Sequence, residues 1–115
     1  MGRIAYTGTT REYHEGRVQI FGCFKHGDRD LVELSSNAKS QICSAFEWAR
    51  HYGGEPVLLV VDVSKVNVTK TGRKSWECGS LKEGSYYMAD IKTEKGRISR
   101  STWNRLNELG NRLNE

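Results

Sequence analysis

The chain has little of several features that would place it in a class at once. It contains one proline and three cysteines in 115 residues, and its longest apolar run covers only residues 57–61. A membrane span needs about 20 apolar residues, so no transmembrane segment is expected. The first six residues lack the apolar stretch of a secretory signal, which predicts a cytoplasmic protein. The wide gaps between the cysteines then predict reduced thiols rather than a disulfide framework.

Several catalytic and metal-binding motifs are also missing. The sequence contains no GxxxxGK[ST] phosphate loop, no GxGxxG, no GxSxG and no HExxH. Its histidines and cysteines do not stand at metal-ligand spacing, so no metal site is expected. Nothing in the sequence therefore supports a phosphate-loop ATPase, a Rossmann enzyme, a serine hydrolase of the elbow type or a zinc protease.

The positive charge is concentrated in the second half of the chain. The net charge of +4 comes from 18 basic and 14 acidic residues. Residues 1–57 contain seven of each, whereas residues 58–115 contain eleven basic and seven acidic side chains. A basic half suits a phosphate-bearing partner. A solvated basic face explains a charge of +4 equally well.

The hydrophobic pattern predicts one domain, over residues 1–115, in which strands and helices alternate. Strands are expected at residues 3–8, 17–24, 31–35, 56–63, 85–91 and 97–99. Turns are expected at residues 7–10 and 25–28, and a polar, basic loop at residues 65–75. The β-branched run at 56–63 is typical of a central strand that is buried on both faces.

Two segments have helical spacing. Ile42, Ala45 and Ala49 belong to a stripe that predicts a helix over 38–52, with Ser36 or Asn37 as its cap and the glycines at 53–54 as its end. A second stripe predicts a closing helix, capped by Ser99 or Ser101, from Trp103, Leu106, Leu109 and Leu113. The fold class is therefore predicted to be α+β, with a small, mostly antiparallel, split sheet, one internal helix and a C-terminal helix.

Four motifs in order suggest a family. They are Tyr6-Thr7-Gly8-Thr9, Leu34-Ser35, Arg50-His51 with Gly53, and the strand at 56–62. Together they resemble the ADP-ribosyltransferase-like superfamily, most closely the NAD-using lobe of RNA 2′-phosphotransferases, and a weaker likeness continues at residues 83–90. Thr7 stands where that family has a histidine. The resemblance implies an ADP-ribosyltransferase-like fold, NAD as cofactor, and ADP-ribosyl transfer to a macromolecule or hydrolysis of NAD. A host protein or RNA is the expected acceptor, as in a toxin or a phage-encoded host-modifying or anti-defence protein.

The chemistry of NAD cleavage sets the roles that candidate residues must fill. The reaction needs a carboxylate or dipoles beside a positively charged sugar, and cations or N–H groups for the pyrophosphate. The expected catalytic residues are Tyr6, Thr7, Ser35 and Glu83. Glu83 is preferred as the carboxylate, with Glu77 and Glu94 as alternatives. The expected cofactor-binding residues are Gly8, Thr9, Ser36, Arg50, Tyr86 and Tyr87.

Structural roles fit many of these residues as well. Tyr6 lies on a strand and suits the core, Ser35 or Ser36 suits a helix cap, and Arg50 suits the negative end of a helix dipole. One of Tyr86 and Tyr87 must face each side of its strand, so one of them is expected in the core.

A basic segment supports two other functions. Lys70, Arg73 and Lys74 are expected to contact phosphate or nucleic acid near Trp76, which itself suits the core. The alternatives to the enzyme are therefore a non-catalytic module of the same fold that binds a nucleotide or a partner, and a small basic nucleic-acid-binding protein.

Overall fold

A computed structural model describes residues 3–25 and 31–114 of the chain. The first half contains β1 (Ile4–Thr10), α1 (Arg11–Phe21), β2 (Cys23–Phe24), β3 (Val32–Ser35) and α2 (Ala38–Tyr52). The second half contains β4 (Pro56–Asp62), a 3₁₀ turn (Val63–Lys65), β5 (Thr69–Gly72), β6 (Ser75–Cys78), β7 (Leu81–Lys82), β8 (Tyr86–Asp90), β9 (Thr93–Glu94), β10 (Arg97–Ile98) and α3 (Arg100–Leu113).

Six strands form one sheet in the order β5-β6-β3-β1-β4-β8. Every strand pairing in the described ranges is antiparallel, and two further small sheets pair β2 with β7 and β9 with β10. This confirms the predicted α+β class. Strand β4 is paired on both sides and buried from Val57 to Asp62, as the β-branched run predicted.

The sheet buries a different core on each face. One face, called the α2–α3 face, packs Leu58 and Val60 against Ile42 of α2 and Leu106 of α3. The other, called the α1 face, packs further side chains of the same strands against α1, β2 and β7. Because successive residues of a strand point to opposite faces, the sequence position of a residue decides which core or surface it joins.

Helix α2 has the predicted bounds, and local chemistry explains both ends. The Asn37 side chain accepts a hydrogen bond from the Ser40 backbone N–H at 3.2 Å, so Asn37 rather than Ser36 is the cap. Gly53 ends the helix at φ 78°, a conformation that favours glycine. The predicted closing helix is also present, with Ser99 as its cap and Leu106 among its buried residues.

The strand predicted at residues 17–24 is wrong, because α1 occupies most of that segment. Thr10 caps α1 by accepting from the Tyr13 N–H at 3.2 Å, and Gly22 ends it at φ 73°. Ile20 and Phe21, which suggested a half-buried strand, are exposed. The turn predicted at 7–10 is wrong as well, since β1 stays paired with β4 up to Thr10.

Part of the predicted loop at 65–75 is folded. Strand β5 pairs with β6 as a hairpin. It is exposed throughout, and because none of its side chains is buried, its sequence shows no apolar alternation that would indicate a strand. Trp76 of β6 is buried on the α1 face, which confirms the expectation that it belongs to the core. The turn predicted at 25–28 falls mostly outside the described residues. None of the described helices has the length and apolar content to cross a membrane.

Candidate functional site

Three residues that bear hydroxyl groups stand in register across neighbouring strands. Tyr6 of β1 is the direct cross-strand partner of Ser35 in β3, and Ser35 is the partner of Ser75 in β6. Partners of this kind point to the same side of a sheet, so the three side chains share the α2–α3 face. All three are half-buried and therefore reachable from solvent. We call these three residues the hydroxyl rung.

Two carboxylates form the adjacent rung on the same face. Glu33 pairs with Glu77, and each stands two residues from the serine of its own strand, so both share the serines' face. Glu33 is exposed and Glu77 is half-buried. We call Glu33 and Glu77 the carboxylate rung. Of the three carboxylates that the sequence left open, Glu77 lies on the same face as Ser35 and on the neighbouring strand, with Tyr6 one strand further away.

Cations lie at the tip of the β5–β6 hairpin, next to Ser75 of the hydroxyl rung. Arg73 and Lys74 form the turn, whereas Lys70 pairs with Trp76 and therefore points to the opposite, α1 face; all three are exposed. Within residues 3–25 and 31–114, none of the three takes part in an ion pair. The hairpin is joined to the hydroxyl rung through the Ser36 backbone N–H, which donates to the Lys74 carbonyl at 3.0 Å.

The two serines of the rung also have local partners. Ser35 Oγ accepts from the Asn37 N–H at 3.0 Å, just before α2 begins. Ser75 Oγ lies 3.1 Å from Thr71 Oγ1, which donates to it and thereby shares its face. Each serine hydroxyl keeps its own proton for donation to a ligand. For Tyr6, burial raises the pKa of the phenol, so it also stays a proton donor at neutral pH.

Gly8 has a structural role on this face. A Cβ added at Gly8 would overlap the Gln41 backbone oxygen and lie 2.8 Å from the Ala45 backbone nitrogen. The Gly8 N–H donates to Gln41 Oε1 at 3.1 Å. The glycine therefore permits the close approach of α2 to β1.

Four predicted site residues lie on the opposite face or next to it. Thr7 and Thr9 alternate with Tyr6, so they point to the α1 face, where both are almost fully buried. Tyr86 is buried there too, and Glu83, in the turn before β8, acts electrostatically on it. Thr7, Thr9, Glu83 and Tyr86 are therefore not brought together with Tyr6 and Ser35.

A buried His14–Tyr86 pair is the most distinctive polar feature of the α1 face. His14 Nε2 and the Tyr86 hydroxyl are 2.6 Å apart, whereas His14 Nδ1 is buried and has no hydrogen-bond partner within the described residues. Burial lowers the pKa of His14, and it raises that of Tyr86 to about 12, with the nearby Glu83 adding to the rise. Both side chains are therefore neutral near pH 7.

We expect His14 to make the protein less stable in mild acid. Because its pKa lies below the ordinary value of 6.5, the unfolded chain takes up a proton at higher pH than the folded chain does. The free energy of unfolding should therefore fall as the pH drops below 6.5. Melting temperatures of wild type and His14→Gln between about pH 7 and pH 5 test this. Equal slopes for the two proteins would contradict it.

Two predicted cofactor residues lie apart from the rungs. Arg50 forms an exposed ion pair with Glu47 near the end of α2, about 20 Å along the helix from Ser36. Tyr87 shares the α2–α3 face with Tyr6, but β4 separates the two strands. The predicted split of the tyrosine pair is confirmed, since Tyr86 is in the core and Tyr87 is 40% exposed.

Three residues of possible function were not singled out from the sequence. Glu33 and Ser75 join the site only through the pairing of β3 with β6, and His14 lies in the first part of α1, for which the sequence predicted no element. Comparison with protein-family models and with curated proteins found no match. The two rungs are therefore identified by geometry alone.

Proposed function

We propose that this chain is an ADP-ribosyltransferase-like domain that binds NAD at the two rungs and cleaves its bond to nicotinamide. One observation carries the proposal: a pair of carboxylates that solvent can reach lies on the same face as three hydroxyl-bearing residues, and two exposed cations at the adjoining hairpin tip form no ion pair with another described residue. A carboxylate beside the sugar and cations for the pyrophosphate are groups that NAD cleavage requires, and the hydroxyls add hydrogen-bond donors.

Each group then has a role in the reaction. The bond between ribose C1′ and the nicotinamide nitrogen breaks, its electron pair goes to nicotinamide, and the sugar becomes a cation. Glu77 stabilises this cation, because a half-buried carboxylate acts through a lower dielectric than a fully exposed one. Water or an acceptor hydroxyl attacks C1′, and the exposed Glu33 takes up its proton.

The hydroxyls and cations hold the rest of the molecule. Tyr6 and Ser35 donate hydrogen bonds to the nicotinamide-side ribose, and Ser75 donates to the pyrophosphate. Arg73 and Lys74 bind the pyrophosphate oxygens, for which charge-assisted hydrogen bonds are the strong contacts. A macromolecular acceptor, either a host protein or RNA, and a cytoplasmic setting belong to this proposal.

A second candidate function has its own support. Lys70, Arg73 and Lys74 are exposed on the β5–β6 hairpin and form no ion pair with another described residue, so they suit the backbone of a nucleic acid without any catalysis. That function requires no part of the carboxylate rung. The two functions are distinguished by which ligand, NAD or an oligonucleotide, raises the melting temperature of the protein.

Calorimetric titration with NAD tests the first proposal. We expect the double variant Arg73→Ser/Lys74→Ser to bind NAD about tenfold more weakly, or worse, because the charge-assisted bonds to the pyrophosphate are lost. The matched control is Lys92→Ser/Arg97→Ser, which removes one lysine and one arginine from exposed positions elsewhere.

Two results would reject NAD binding at the rungs. One is equal affinity of both double variants for NAD. The other is no heat and no rise in melting temperature with NAD or ADP-ribose, combined with a rise on adding an oligonucleotide, which would leave the nucleic-acid function in its place.

A further inference from the structure

Three aromatic rings stack on each other at the C-terminal end of α2. Trp48 and Tyr52 stand one turn apart on α2, with ring centroids 5.3 Å apart and ring planes at 28°. Tyr13 of α1 adds a third ring, 6.3 Å from Trp48 and at only 14° to it. We call Tyr13, Trp48 and Tyr52 the ring stack. It lies on different elements from the two rungs.

The outer end of the ring stack is open to solvent. Tyr52 is 78% exposed, although burying a large aromatic side chain usually stabilises a protein. Its ring therefore offers a flat apolar surface whose inner side is already held by Trp48. A ring that is fixed in this way loses little conformational freedom when another flat group stacks on it.

Polar groups beside the stack match the edges of nucleobases. A groove of about 360 Å³ runs along α2 next to the rings, and Ser44, Glu47 and His51 are among its lining residues. The Ser44 hydroxyl already donates to the Ser40 carbonyl, and the Glu47 carboxylate already pairs with Arg50 and His51. The remaining lone pairs of these oxygens and the imidazole of His51 are the polar groups that the edge of an unpaired base can reach.

Cations lie near both ends of α2. Arg17 holds its guanidinium carbon 5.6 Å from the Tyr13 ring and 4.4 Å from the Phe21 ring, so its charge is fixed beside one end of the stack. At the other end of the helix, the Lys74 backbone carbonyl accepts from the N–H of Ser36, the residue before the Asn37 cap, which holds the basic hairpin at that end. The intervening helix is about 22 Å long. A flexible strand can thus contact the hairpin with its backbone and the rings with a base.

We propose that the ring stack binds a base of single-stranded nucleic acid, with Tyr52 as the stacking surface. Base–aromatic stacking together with a basic path for the backbone is the usual mode of single-strand binding. This inference rests on the second candidate function, nucleic-acid binding at the basic hairpin; it shares that hairpin, but no residue of the two rungs, with the NAD proposal. A protein partner or a second copy of this chain on the same rings is the alternative that the test must exclude.

Fluorescence titration with short RNA and DNA oligonucleotides tests this proposal. Trp48 supports the Tyr52 ring on which the base would stack, so its fluorescence should change when the base binds. We expect Tyr52→Ala to weaken binding by roughly 5- to 150-fold, the usual contribution of one stacked base. The matched control is Phe46→Ala, since Phe46 is a 38% exposed aromatic residue of the same helix outside the stack.

Salt dependence separates stacking from charge. The loss caused by Tyr52→Ala should be the same at about 50 mM and 200 mM salt, whereas Arg73→Ser/Lys74→Ser should reduce the salt slope. Preference for RNA or for DNA identifies which nucleic acid is bound.

Three results would overturn the proposal. They are no oligonucleotide binding at low salt, equal losses for Tyr52→Ala and Phe46→Ala, or a wild-type dimer that Tyr52→Ala dissociates. NAD titration of Tyr52→Ala and Phe46→Ala keeps the two proposals separate, because both variants should bind NAD as the wild type does.

Discussion

Replacing Gly8 with alanine is expected to lower the stability of the protein by about 3 kcal/mol, at the upper end of the usual cost of overpacking. The added methyl group would overlap the Gln41 backbone oxygen and lie 2.8 Å from the Ala45 backbone nitrogen. Backbone atoms cannot rotate away as a side chain can, so α2 has to shift from β1. The hydrogen bond from the Gly8 N–H to Gln41 Oε1 would then be lost as well.

Thermal unfolding measures this effect against a matched glycine. The melting temperature of Gly8→Ala should fall by roughly 10 to 20 °C for a domain of this size. Gly16 lies within α1 and has no atom within 4 Å of an added Cβ, so Gly16→Ala should instead stabilise by up to about 1 kcal/mol. A Gly8→Ala melting temperature within a few degrees of wild type would show that α2 does not rest on Gly8.

Replacing Glu77 with glutamine is expected to reduce NAD cleavage about 100-fold or more, with little change in NAD affinity. The amide keeps the size of the side chain but removes the negative charge that stabilises the sugar cation. Losing one such preorganised electrostatic contact typically costs a factor of about 10² to 10³ in kcat. Release of nicotinamide, followed by chromatography, measures the effect.

Unfolding cannot account for that loss of activity. Like charges directly opposite each other destabilise a sheet, so Glu77→Gln should keep or slightly raise the melting temperature by relieving repulsion from Glu33. The control is Glu83→Gln, because the sequence favoured Glu83 and the fold places it beside Tyr86. An inactive Glu83→Gln with an active Glu77→Gln would move the reactive centre to the α1 face.

Local signals explain which elements could be predicted. Helix α2 was predicted with its observed bounds because a cap, an apolar stripe and a glycine end all agree within one segment. Helix α1 was not, because its signals are a threonine cap and Gly22, while Val18 and Ile20 favour a strand on propensity alone. Only the packing of the folded chain leaves Ile20 exposed.

The candidate site could be predicted from the sequence only in part. Strand alternation already separates Tyr6 from Thr7, because neighbouring residues of a regular strand point to opposite faces. The choice among the carboxylates needed the register of β3 with β6, which joins Glu33 to a residue far along the chain, Glu77. Pairing between distant strands depends on the whole sheet, so the carboxylate rung became visible only in the fold.

An NMR titration of the ¹⁵N-labelled protein with NAD tests the central claim, that NAD binds on the α2–α3 face at the two rungs. The account predicts that the amide signals of Ser75, Glu77 and Arg73 shift together in proportion to saturation, while those of His14 and Tyr86 stay in place. Shifts centred on His14 and Tyr86, or no shift at millimolar NAD, would contradict it.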